Sequence, residues 1–212
     1  ASLDSDQVNS ISDTAESRQV AQLVKTSYFN IIGRANLPEH YKLFSLTASG
    51  DDELPVLMYR PDNVAKIEWI KYDKFDDDTP TTTLFQYVTI LPVNQFLDMV
   101  QALDPTESNI NSLQLEGYTF FFKNDIQPTY CTILNDYYVL FDTFDEGVES
   151  TLQSSKTQCF GRVVPTFSLT DTFVPDLDEL QVPLLLNEAK SLAFLELKQT
   201  SHDIAVLESR RH

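Results

Sequence analysis

Three histidines, His40, His202 and His212, are the only imidazoles in 212 residues, and no two are spaced to hold a metal together. A zinc-peptidase helix needs a His-Glu-x-x-His segment, which is absent. His40 follows Asn-Leu-Pro-Glu and His202 stands among polar residues, contexts that suit surface or interface side chains better than a general base. Ser-His-Asp groups assemble in space rather than in sequence, but no Gly-x-Ser-x-Gly turn presents a serine. The five glycines, Gly33, Gly50, Gly117, Gly147 and Gly161, are too scattered to form a phosphate cradle. Asp76-Asp77-Asp78 is a run of carboxylates, yet the alternating acids, glycine and later glutamate of a calcium loop are missing. A solvated acidic loop is expected there, and Asp51-Asp52-Glu53 reads the same way. Cys131 and Cys159 have no metal-ligand spacing and make no disulfide framework. They are expected as buried thiols, which fits assembly in a reducing cytosol. Phe120–Phe122, Tyr130, Tyr137 and Tyr138 are an aromatic cluster, but a base-stacking platform needs a basic groove. Only Lys123 stands near them, so core packing is expected. These residues predict no enzyme, no cofactor and no metal.

The charge balance is 32 acidic against 15 basic residues, net −17. Such a chain repels nucleic acid. The charge suits solubility, or a surface that lies near DNA without holding it. Hydrophobic residues make up 42 %, with 14 Phe and 9 Tyr, enough for a proper core. No run of about 18 apolar residues is present, so no membrane span is expected. The chain starts at Ala1 rather than Met, inside what reads as a helix end, which predicts native sequence beyond both ends.

The elements follow from periodicity. Asp13 with Glu16 three residues on has capping-box spacing. Val20, Leu23, Val24, Tyr28, Ile31 and Ile32 then keep a helical period up to Gly33, a residue suited to ending a helix. A helix over 14–32 is predicted. Strands are expected over Tyr41 to Ala48, around Pro55–Tyr59, over 65–72 with Ile67 and Trp69 on one face, and over 84–90. Residues 73–83 form a charged loop between the last two. Pro92 opens a helix near 92–103 whose apolar face is Phe96, Met99, Val100 and Leu103. Residues 115–123, 129–134 and 137–142 read as strands, the last two joined by a tight turn at Asn135-Asp136. One or two more strands are expected in 152–169. Residues 171–180 are an acidic connector, and Pro183 sits at a helix start.

The predicted fold is therefore α+β. It has an antiparallel β-sheet core, an N-terminal helix, one middle helix and a long C-terminal helix. It is expected as one domain over 1–212. Residues 1–35 form a helical N-terminal part, 36–170 a mainly β part, and 171–212 the connector and long helix.

That last helix, Pro183 to Arg210, would run about 42 Å. Leu184 to Leu197 is apolar nearly all round, which predicts burial on several sides, Leu192 and Phe194 included. Residues 198–203 are polar. Ile204, Val206 and Leu207 follow, then Arg210 and Arg211, which suit a helix C-terminus through its dipole. The polar break takes the helix out of its own core near Lys198. The second apolar patch then needs cover from another chain.

Val8 to Ile11, residues 61–72, 128–145, 152–159 and 174–199 together resemble the head-to-tail adaptor proteins of short-tailed phages, the group related to tail tubular protein A. The likeness spans nearly the whole chain. It implies a twelve-copy ring beneath the portal protein, with the tail nozzle protein docked below, in a virion assembled in the host cytoplasm. DNA would pass without specific binding, helped by an acidic lumen. Carried onto this sequence, the portal-binding residues are Lys198, His202, Ile204, Leu207, Arg210 and Arg211. A different class of function, a small acidic module that mimics DNA and inhibits a nucleic-acid enzyme, needs carboxylates spaced like phosphates along one face. Here they are scattered over loops.

Overall fold

The structure is a computed structural model and describes residues 10–35, 37–75 and 83–197. It is α+β, and the described residues form helices α1 (Ala15–Arg34), α2 (Val93–Gln101) and α3 (Val182–Leu197) with a mostly antiparallel, curled sheet. The chain falls into two compact units. One is Ala1–His40 with Pro165–His212, and the other is Tyr41–Val164.

Among the described residues the second unit holds every strand: β1 (Tyr41–Phe44), β2 (Thr47–Ala48), β3 (Leu57–Tyr59), β4 (Val64–Asp73), β5 (Phe85–Ile90), β6 (Ile110–Leu115), β7 (Tyr118–Lys123), β8 (Tyr130–Leu134), β9 (Tyr138–Phe141) and β10 (Thr157–Val163). Eight of them form one sheet in the order β1-β10-β4-β5-β8-β9-β3-β2. The expected antiparallel core holds, with one parallel pair, β5–β8, within it. The cause is the long connection through α2, β6 and β7, which carries the chain back to the same end of the sheet.

The single strand expected over Tyr41 to Ala48 is broken at Ser45 and Leu46. Its first half pairs with β10 and its second with β3, so one stretch of chain supplies both ends of the sheet. Where it crosses over, the Leu46 N–H donates to Thr157 Oγ1 (2.9 Å) and the Ala48 N–H to Ser154 Oγ (2.7 Å). Hydroxyls thus satisfy the backbone that leaves the ladder.

In β4 the expected pairing of Ile67 with Trp69 on one face does not hold. Val64, Ile67, Ile70 and Tyr72 are buried, and Trp69 faces outward. A β-bulge is the reason. Phe160 opposes Trp69 while Gly161 opposes Ile67, leaving Glu68 extra and shifting the alternation by one. Gly161 is obligatory at the bulge, because a Cβ there would lie 2.0 Å from the Lys66 carbonyl oxygen.

Residues 115–123, expected as one strand, contain a turn. Glu116 (φ 51°) and Gly117 (φ 85°) link β6 to β7 in a separate two-stranded hairpin. Its Leu113 and Phe122 reach the core, which also takes Phe96 and Val100 from α2. The predicted turn at Asn135 (φ 50°) and Asp136 (φ 56°) joins β8 to β9, and Arg60 holds Asp136 with two hydrogen bonds (2.8 and 3.1 Å). β10 is the one strand formed within 152–169.

In the first unit, α1 begins one residue later than the Asp13–Glu16 spacing suggested. Thr14 Oγ1 accepts the Ser17 N–H and Ser17 Oγ accepts the Thr14 N–H, both at 3.0 Å. Gly33 does not end the helix. It lies inside it, and the helix stops at Ala35 in extended conformation.

Candidate partner-binding surface

Helix α1 presents Leu23, Ser27, Tyr28, Ile31 and Ile32 at three-four spacing on one buried face. Against α1, helix α3 buries Leu185, Ala189 and Ala193, which recur every four residues. Leu185 packs with Tyr28, Ile31, Ile32 and Leu37, and Phe167 adds a ring 5.2 Å from Tyr28. Arg34 and Glu188 approach at 3.7 Å across the pair, with the arginine largely in water, so little stability comes from it.

The remainder of α3 is not enclosed. Leu184, Leu192 and Phe194 are half-buried, while Val182, Leu186 and Leu195 are 42, 51 and 56 % exposed. The burial on several sides expected from its composition is therefore corrected to burial on one face. A single neighbouring helix covers a single stripe. In the connector before it, Val174 and Leu180 are each 82 % exposed. These apolar side chains escaped the sequence reading, which placed the helix leucines inside. The signal was present: a helix greasy on every side asks for more than one neighbour. The residues predicted to meet the portal, Lys198, His202, Ile204, Leu207, Arg210 and Arg211, lie outside the described residues. So do His212 and the Asp76-Asp77-Asp78 run.

His40 is the histidine the structure places, and not at the surface as expected. It is buried, with Nε2 3.2 Å from the Asp176 carbonyl oxygen, and ties the start of the chain to the connector. Near it in sequence space, the first turns of α1 and residues 167–175 enclose a cavity of about 510 Å³, walled by Val20, Val24, Phe167 and Phe173 among others. Asp171 braces its rim, accepting from the Ile11 N–H (2.8 Å) and Ser10 Oγ (2.7 Å). These bonds, the Ile11 amide first, hold its carboxyl below the usual range.

The titratable groups of the strand unit sit in packed surroundings. Cys131 and Cys159 are buried free thiols, as expected. Burial pushes Cys131 well up and Cys159 up to about 12, which suppresses thiolate chemistry at neutral pH. Tyr72 donates its hydroxyl to Glu149 Oε1 (2.5 Å) and accepts the Gln153 N–H (3.1 Å), while Lys156 Nζ lies 3.4 Å from Glu149 Oε2. Burial raises the pKa of Glu149 despite these partners. Asp142 Oδ1 accepts the Thr129 and Tyr130 N–H groups, and burial raises its pKa as well. Among the described residues no three His, Cys, Asp or Glu side chains are grouped to hold a metal. Of the aromatic cluster expected in the core, Phe122 is buried, but Tyr130 and Tyr137 are 36 and 41 % exposed.

No family model matches the chain, and no curated protein matches it. Among the described residues no helix is long and apolar enough to cross a membrane.

Proposed function

We propose that the protein is a structural subunit that works by being packed between other chains, as a head-to-tail adaptor of a short-tailed phage virion. In this role a ring of copies joins the portal protein to the tail nozzle protein and leaves a passage for DNA. The observation that carries the proposal is the uncovered apolar surface of α3. Leu186 and Leu195 stay about half exposed on a helix whose opposite side is sealed by α1. Burying the exposed half of such a side chain against a partner is worth about 0.7–1.5 kcal/mol, so a second polypeptide gains by covering it. The resemblance noted along the sequence supplies the kind of partner, and the net charge of −17 suits a passage through which DNA slides without sticking.

Portal protein mixed with the purified chain and weighed in solution tests the proposal. The expected product is portal carrying many copies of the 24.2 kDa chain. A chain that stays apart from portal at every ratio contradicts it.

A further inference from the structure

One face of the strand unit reverses the character of the molecule. Across β1, β10, β4 and β5, Leu43 opposes Phe160, Phe160 opposes Trp69, and Lys71 opposes Tyr87. Trp69 stacks on Phe160 (centroids 5.7 Å, planes 17° apart) and takes Tyr87 edge-on at 5.9 Å. Tyr41 lies 6.0 Å from Phe160. Lys71 Nζ sits 4.6 Å from the Tyr87 ring centre and 5.1 Å from that of Trp69. Leu43 and Tyr87 are 61 and 64 % exposed. Lys66 and Arg162 oppose one another on the same face, and Glu68, the extra residue of the bulge, is held by Lys66 at 2.8 Å. Clustered rings with an arginine suit the centre of an interface, and the lysines suit its charged rim.

The same unit carries the complementary feature. A groove of about 790 Å³ has Asp52, Glu53 and Glu146 exposed on its rim and Phe122, Phe144 and Val148 among its walls. It shares no residue with the aromatic face.

We infer that two copies of this chain join head to tail, the aromatic, basic face of one seated on the acidic groove of the next. Two different patches make the contact heterologous, so it repeats from copy to copy and closes into a ring or runs on as a filament. This pairing would build the ring proposed above, and the choice of a second copy as partner rests on that proposal together with the charge match. A single nucleic-acid strand is the less favoured occupant. Base stacking needs an open ring face, and the Trp69 ring already has Phe160 and Lys71 against it.

Trp69 is the sole tryptophan, so its fluorescence reports on this face directly. Sedimentation of the full chain over a concentration series, with its emission recorded, gives the test. Lys66→Glu/Lys71→Glu and Glu53→Lys/Glu146→Lys are each expected to keep the native circular dichroism, to weaken self-association at least about tenfold, and to leave Trp69 emission at the wavelength the wild-type chain shows at high dilution. Mixed in equal amounts the two variants should associate again, because opposite charges then meet at both contacts. Self-association unchanged in both variants, no recovery on mixing, or a wild-type chain that stays monomeric at its solubility limit overturns the inference. Quenching by an oligo-dT strand at about 0.15 M salt, lost in Lys66→Glu/Lys71→Glu, also overturns it and reassigns the face to nucleic acid. Rings that still form and dock on portal when both variants are made sink this contact alone. Recovery on mixing without any portal docking sinks the adaptor role alone.

Discussion

Gly161 and Glu149 show how single residues bear on the fold. A methyl group at position 161 would collide with the Lys66 carbonyl, which is backbone locked in the bulge and unable to step aside. Gly161→Ala is expected to cost about 3 kcal/mol, read as a shift of the urea midpoint; an unshifted midpoint would mean the bulge is not held as described. Glu149 gives a pH dependence of definite sign. Its pKa is raised above the ordinary 4.5 chiefly by burial, so the fold holds its proton more tightly than the unfolded chain does. The ionised form therefore costs stability above the raised value, and that cost fades as pH falls toward 4.5. Compared with Glu149→Gln, which cannot titrate, the wild type should gain stability on acidification from neutral pH through that window. A difference between the two that stays flat, or runs the other way, contradicts the burial of Glu149. Neither feature was legible beforehand. Nothing local marks Gly161, since the carbonyl it accommodates lies on another strand. The Asn135-Asp136 turn was legible, because both residues tolerate positive φ and the flanking runs are aromatic and β-branched.

At the scale of elements, α2 is where sequence and packing agree best. Phe96, Met99 and Val100 recur at helical spacing, and Phe96 is fully buried in the main core with Val100 beside it. Phe96→Ala should cost about 3–5 kcal/mol in chemical denaturation; a loss below 1 kcal/mol, on the scale of a surface change, would place α2 outside the core. Periodicity failed where an element depends on a distant partner. The bulge in β4 shifts its phase only because β10 pairs across it. Of the β6–β7 hairpin only 115–123 was read as a strand, because Asn111, Ser112 and Gln114 give β6 a weak strand signal of its own. The start of α1 was offset by one residue because Thr14 and Ser17 cap each other with hydroxyls, a weaker signal than Asp13 with Glu16. Helix α3 was recognised but its surroundings were not. Composition says how apolar a helix is, whereas exposure depends on how many neighbours reach it.

Taken whole, the molecule joins a strand unit with its own core to a helical unit that leaves apolar side chains in water. Val174, Leu180, Leu186 and Leu195 of that unit all stand exposed. Cover from another polypeptide is what the proposed role would supply to them. The most direct measurement is the mass of the portal mixture made with Leu186→Asp/Leu195→Asp. Both side chains are about half exposed, so unfolding stability should stay within about 0.5 kcal/mol of wild type, while the complex with portal is lost. A complex that forms undiminished, or a variant that loses several kcal/mol (about 2 or more), would contradict the account.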